Sequence, residues 1–353
     1  MIAYFLEKRT PVIAYLEVTM ACNVRCIHCY REKTLPKPRD ELTRKEINVL
    51  LDELARLGTL ILVVTGGEPF MRPDIMEILS DARKKGFAVV VFTNATLISG
   101  EHARALYDIA PLGVEVSIHG SNAQVHDSIT GVKGSFAKAM AAIALLKEHC
   151  IRVKMKGNLM RANKCDYDSL IKVAEDLDLE WTFDPFIFPC RDGNAAPIGQ
   201  RPGHNSLAKV FSEPRFARPG VHQPERSYLE MPGNRLCGAG VNIVAIGSTG
   251  RVFPCVPLKL EAGNIRIAPI GHIWRKSPVF EKLRSYRVRD LVFCGDCDLK
   301  KYCPRCSAMS FNETGDLLGC AAISRSIAQA RKRTGGRVSQ RLQSPVDTEA
   351  TYA

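Results

Sequence analysis

Val12-Ile13-Ala14-Tyr15-Leu16-Glu17-Val18-Thr19-Met20-Ala21-Cys22-Asn23-Val24-Arg25-Cys26-Ile27-His28-Cys29 is the stretch that decides both fold and chemistry. The run from Val12 to Val18 has the length and apolar character of a buried strand. Three cysteines follow it directly, with gaps of three and two residues. Three thiolates on one short loop hold three corners of an iron–sulfur cube and leave the fourth iron open. A fourth thiolate would close the site into an electron carrier or a structural staple. The spacing therefore points to a metal centre that binds something and changes it.

Outward from that loop, strands and helices alternate. Thr43 to Leu57 reads as a helix, with a capping box from Thr43 to Glu46 and a stripe at Ile47, Leu50, Leu51 and Leu54. Leu60–Thr65, Ala88–Thr93, Val114–Ile118, Val153–Asn158 and Trp181–Ile187 read as further strands. Between them fall helices at Pro73–Lys85, ended by Gly86, and at Glu101–Ile109, Phe136–His149 and Tyr167–Leu177. Strands apolar on both faces, each followed by a helix, predict an α/β fold with a helix-covered parallel sheet. Six such units fit between Val12 and about Phe188. Ligands of parallel α/β folds sit at the carboxyl ends of the strands. The Cys22 loop, the Gly66-Gly67-Glu68-Pro69 loop and Thr93-Asn94 all follow strands and converge there.

Composition narrows the class. The chain has 353 residues, 13 cysteines and a formal charge of +12. The cysteine count is odd, and ten of them fall in tight groups, which favours metal over disulfides. Cys150 and Cys165 read as packing residues. No apolar run approaches a membrane span, and MIAYFLEKRTPV lacks the pattern of a secretory signal, so a cytoplasmic location is expected. Part of the positive charge lies in the tail from Arg331, which lacks hydrophobic period and reads as disordered. No aromatics interleave with those basic residues, which argues against a nucleic-acid platform.

Cys22-x3-Cys26-x2-Cys29 followed by Gly66-Gly67-Glu68-Pro69 resembles the radical S-adenosylmethionine (SAM) superfamily. The resemblance covers roughly residues 10 to 190 and implies a partial (β/α)6 barrel. It implies that Cys22, Cys26 and Cys29 ligate a [4Fe–4S] cluster whose open iron is chelated by SAM. It also implies that Gly66, Gly67, Glu68 and Pro69 form the loop beside the methionine moiety. There Glu68 accepts from the ammonium. His28 would lie against the adenine, and Asn94 and Ser117 would contact the methionine and ribose parts. Ile129-Thr130 stand where some relatives place an arginine for the SAM carboxylate, so that partner is unassigned.

Residues 191–230, rich in Gly, Pro, Arg and Asn, read as a linker or irregular wrap. Residues 231–330 carry seven cysteines and little helical period before Ala321, as in a segment held together by metal. Cys237, Gly250, Cys255, then Cys294-x2-Cys297-x5-Cys303-x2-Cys306 and Cys320 are similar to the SPASM extension of that superfamily. One gap departs from it: Pro304-Arg305 is two residues where three are usual. The resemblance implies two auxiliary iron–sulfur clusters. Cys294, Cys297, Cys303 and Cys320 would hold one, and Cys237, Cys255 and Cys306 the other. The fourth ligand of the latter is Cys190, another residue, or an open position. Residues 331–353 form the basic tail. The competing reading is a zinc ribbon on a nucleic-acid-binding module.

The resemblance implies a one-electron donor of the flavodoxin or ferredoxin type, and a 5′-deoxyadenosyl radical that takes a hydrogen atom from the substrate. The expected substrate is a ribosomally made peptide or protein, modified by crosslinking, thioether formation, epimerisation or oxidation. A separate leader-peptide-binding chain is expected, since only about ten residues precede the first strand. The alternative is a small-molecule enzyme that decarboxylates tetrapyrrole side chains or dehydrogenates an aminoglycoside. No general base is assigned. Asp184 and Asp192 follow the last barrel strand, where a turn or capping role is the simpler reading.

Overall fold

A buried strand must pair its backbone groups on both sides, and β1 (Ile13–Thr19) does so with two parallel neighbours. One is β2 (Ile61–Gly66), in register from Ile13↔Ile61 to Glu17↔Thr65. The other is β7 (Ile243–Ile246), from Ile13↔Ile243 to Leu16↔Ile246. The computed structural model describes residues 10–32, 36–213, 215 and 228–334. Beyond β2 the parallel series continues through β3 (Ala88–Thr93), β4 (Gly113–Ser117), β5 (Val153–Asn158) and β6 (Glu180–Asp184). Beyond β7, β8 (Arg251–Phe253) and β9 (Gly263–Asn264) run antiparallel. The sheet order is β6-β5-β4-β3-β2-β1-β7-β8-β9.

The helices follow the apolar stripes. α1 (Arg44–Arg56) starts on a capping box: Thr43 accepts from the Glu46 amide, and Glu46 accepts from the Thr43 amide. It buries Ile47, Leu50, Leu51 and Leu54. α2 (Ile75–Lys84), α3 (Gly100–Ile109), α5 (Ser135–Glu148) and α6 (Tyr167–Asp176) cover successive strands. A further helix, α4 (Ala123–Thr130), stands between β4 and α5. Its single turn-and-a-half of stripe is too short to stand out by periodicity.

Strand alternation gives the sheet two faces. Leu16, Val64, Val91, Val116 and Met155 point outward into the core shared with the helices. Ile13, Tyr15, Val63 and Val90 point to the other face and form a second apolar cluster. Residues of β1 to β7 line a single cavity of ≈ 620 Å³ on that inner face, so the sheet is curled around it as a partial barrel.

The C-terminal third departs from the expected layout. β7 to β9 extend the barrel sheet itself. The expected linker holds a helix, α7 (His204–Ser212), which buries Leu207, Ala208, Val210 and Phe211. Surrounding Gly and Pro masked that short stripe in the sequence. Helices α8 (Ile270–Lys276), α9 (Pro278–Ser285) and α10 (Ser307–Thr314) add regular structure where little was expected. The last helix, α11 (Ala322–Thr334), packs on α7. It runs past the point where the tail was expected to begin. Arg331 lies inside it, 1% exposed, with its guanidinium over the Phe211 ring. The rest of the expected tail, 335–353, lies outside the described residues. Cys150 and Cys165 are exposed and take no part in packing. No single helix among the described residues is long and apolar enough to cross a membrane.

One buried ion pair joins barrel and C-terminal third. The Arg191 guanidinium donates to both oxygens of Glu17 on β1, at 2.6 and 2.7 Å, and to the Val256 carbonyl at 2.8 Å. Tyr30 and Phe253 flank it with their rings. Removing one member of such a pair strands a charge in a low dielectric. Arg191→Met should therefore cost about 3–5 kcal/mol of stability in anaerobic chemical denaturation. The double replacement Glu17→Met/Arg191→Met should recover much of that loss.

Candidate active site

The Cys22 loop is held by its backbone. Arg25 N–H donates to the Thr130 carbonyl at 2.7 Å and Ile27 N–H to Ile129 at 3.0 Å, so α4 clamps the loop from one side. From the other side, the Gly67 amide donates to Thr19 O at 2.7 Å and Glu68 N–H to Ala21 O at 2.8 Å. A Cβ on Gly66 would lie 2.2 Å from Thr19 O, and one on Gly67 2.0 Å from Ala21 O. Gly66 also has φ +137°. The two glycines are therefore required by the chain's own backbone, which occupies the space a side chain would need.

Three thiols meet on this loop. Burial and the neighbouring Cys29 and Cys22 push the Cys26 thiol up to about 12, and burial raises Cys22 as well. Arg31 faces the trio, hydrogen-bonded to Cys29, and also donates to Met20 O at 2.5 Å. The Asn94 side-chain amide lies 3.8 Å from Cys22 Sγ. With Cys22 and Cys26 both raised, these thiols ionise together only with added positive charge. A cationic cluster supplies that charge, so this donor set fits one.

Glu68 and Pro69 sit behind the cavity wall. Glu68 is fully buried and accepts from Thr93 Oγ1 at 2.7 Å, Asn94 N at 2.7 Å and Phe70 N at 3.2 Å. The chain's own donors reach both oxygens, two on Oε1 and one on Oε2. Glu68 thereby fixes Asn94, which lines the cavity with Gly66, Gly67, His28 and Ser117. His28 packs edge-on against His119, ring centroids 4.5 Å apart, and burial lowers its pKa to about 4. His28 Nδ1 and His119 Nδ1 are buried without a partner among the described residues. Sequence reasoning missed His119, and also Arg31, whose only signal was its place two residues after Cys29.

The seven later cysteines form two groups. Cys237, Cys255 and Cys306 act on one another electrostatically and line the same cavity as the first three. Cys294, Cys297, Cys303 and Cys320 form the other group, away from the cavity wall, with Cys320 exposed. Burial and its neighbours push Cys303 to about 12, and burial pushes Cys306 to about 11. These donor sets likewise fit clusters. Cys190 is buried, with its Sγ 3.5 Å from the Cys29 carbonyl. The carboxyl acting on Cys306 is that of Asp184, which lines the cavity and is pushed by burial to about 6. Asp192 is exposed and caps its own turn through the Asn194 amide.

Glu68 makes a pH prediction. Its carboxyl is raised by burial from 4.5 to about 7, so folding takes up a proton within that window. Its contribution to stability should therefore fall as pH rises from 4.5 to 7, by up to about 1.4 kcal/mol per pH unit. Comparing denaturation of the wild type and Glu68→Gln at pH 5, 6 and 7 checks this. The difference between the two should depend on pH, with the wild type losing ground as pH rises.

Comparison with known proteins agrees with this geometry. Residues 16–174 match the radical SAM superfamily, and residues 237–307 match SPASM, an iron–sulfur cluster-binding domain. The latter displaces the zinc-ribbon reading. The AdoMet-dependent heme synthase of Methanosarcina barkeri is 30% identical over 330 residues, covering 87% of this chain and 94% of that protein. The antilisterial bacteriocin subtilosin biosynthesis protein AlbA of Bacillus subtilis is 28% identical over 318 residues, covering 86% and 68%. Among solved structures, Streptococcus suis SuiB bound to S-adenosylmethionine superposes with a TM-score of 0.69 at 17% identity, covering 92% of this chain and 80% of SuiB. Cysteine loop, glycine-bracketed turn, curled parallel sheet and second thiol sets thus share one ancestry: the chain belongs to the radical SAM superfamily, and it is an enzyme that uses a [4Fe–4S] cluster and SAM and carries a SPASM domain for auxiliary clusters.

Proposed function

We propose that the enzyme acts on a small molecule, the carboxylate-bearing side chain of a tetrapyrrole, and removes that carboxyl group. The observation that carries this reading is the near end-to-end similarity to a heme synthase, 94% of whose length is matched. It reverses the order reached from the sequence alone, where a peptide came first. The cavity supports it: ≈ 620 Å³ is in the range of small-molecule sites, and one half of its wall is apolar.

When bound, the cluster and SAM supply a 5′-deoxyadenosyl radical that abstracts a hydrogen atom from the substrate. Under this reading Cys22, Cys26 and Cys29 hold that cluster while Gly66, Gly67, Asn94, Ser117 and His28 shape the SAM site. The neutral rings of His28 and His119 give the cavity an uncharged aromatic wall. Cys237, Cys255 and Cys306 would hold an auxiliary cluster at the wall of the same cavity. The curled sheet keeps bulk water from the reacting carbon. The donor is a flavodoxin- or ferredoxin-type protein, and the compartment is the reducing cytoplasm.

The similarity to AlbA favours peptide modification as the second reading. Anaerobic turnover with SAM and a reductant separates the two. Iron coproporphyrin should lose carboxyl groups, read by mass spectrometry, while 5′-deoxyadenosine accumulates. Turnover of a precursor peptide and inertness toward the porphyrin would overturn the proposal. Replacing Cys22, Cys26 and Cys29 with Ala should abolish 5′-deoxyadenosine formation and lower iron from about twelve to about eight per chain.

A further inference from the structure

Strand β5 reads Val153-Lys154-Met155-Lys156-Gly157-Asn158. Val153 and Met155 enter the outer core, so alternation brings Lys154 and Lys156 to the inner face, where both line the cavity. Buried parallel strands are ordinarily Val, Ile and Leu. Two half-buried lysines on the inner face of such a strand are not what packing requires. Glu115 on β4, 4% exposed, stands across from Lys154 in register and 2.7 Å from the Lys156 Nζ. Asp184 on β6 lies beyond and lines the same cavity. Lys154 and Lys156 thus share this side of the lumen with two carboxylates. The opposite side, on β1 to β3, presents Ile13, Tyr15, Ile61, Val63 and Val90. Gly157 fixes β5 in place, since a Cβ there would lie 2.4 Å from Ile118 O.

The lumen is therefore two-sided, apolar along one half and charged along the other, with Lys154 and Lys156 as the cations of β5. We infer that Lys154 and Lys156 bind the carboxylates of the substrate while the apolar half takes its hydrocarbon body. An ammonium has three donors, so the Lys156 pairing with Glu115 at 2.7 Å orients that group without exhausting it. The inference rests on the tetrapyrrole reading and adds the residues that would orient the side chains.

The test is a binding titration with the full, anaerobically reconstituted chain, read by the fluorescence anisotropy of free-base coproporphyrin III. The methyl ester of the same porphyrin, which lacks the charges, is titrated alongside. The double variant Lys154→Met/Lys156→Met should bind the free acid at least about tenfold more weakly, with ester affinity unchanged. Lys154→Arg/Lys156→Arg should retain most of the affinity for the acid. Unchanged acid binding in the methionine variant overturns the lysine assignment and leaves the tetrapyrrole reading intact. Equal loss for acid and ester also overturns it, since that marks a packing role. Binding of neither porphyrin by the wild type overturns the tetrapyrrole reading and this assignment with it. If the double variant does not incorporate iron normally, the single variants Lys154→Gln and Lys156→Gln decide by the same acid-to-ester ratio.

Discussion

The Glu17–Arg191 pair is the constraint on which the rest of the arrangement depends. Glu17 stands on β1, an interior strand of the sheet, on its inner face, where an unpaired carboxylate would be very costly. Only a cation reaching in from outside the barrel neutralises it. That cation comes from the segment following β6, and a further donor of it goes to Val256, next to Cys255. The Arg191 amide also donates to the Tyr30 carbonyl, adjacent to Cys29. One guanidinium thus sets the distance between the first thiol set and the second, which is why both face a single cavity.

The parts legible in the sequence were those written in periodicity and spacing. The stripe of α1, the apolar runs of β1 to β4 and the ten clustered cysteines are all local patterns, and the elements stand where those patterns put them. What was illegible depends on long-range pairing. Nothing local marks Ile243–Ile246 as the partner of β1, because a four-residue apolar run fits many environments. The stripe of α7 was hidden by its Gly- and Pro-rich flanks. Glu68 was readable as chemistry but not as burial, since its enclosure comes from Thr93 and Asn94 on another strand. Lys154 and Lys156 were visible as alternation, but the expectation of strands apolar on both faces hid what the alternation meant.

The buried thiols couple metal loading to folding. Cys26, Cys303 and Cys306 are all held well above the ordinary thiol range by burial and by one another. A protein that buries thiols this way gains stability from whatever cation permits them to ionise. Much of the C-terminal third is short helices and loops around these sulfurs, with little apolar core of its own. Its order therefore draws on the metal as well as on its seam with the barrel.

The place of β7 has a consequence for how the chain is made. Among the described strands β1 leaves the ribosome first, yet its second edge is covered by Ile243–Ile246, about 230 residues later. Until then that strand carries an open row of amides and carbonyls, with a thiol loop directly behind it. Non-local pairing of this kind is slow and exposes the intermediate to association. A nascent barrel with a bare edge and three reactive sulfurs is a natural client for a chaperone.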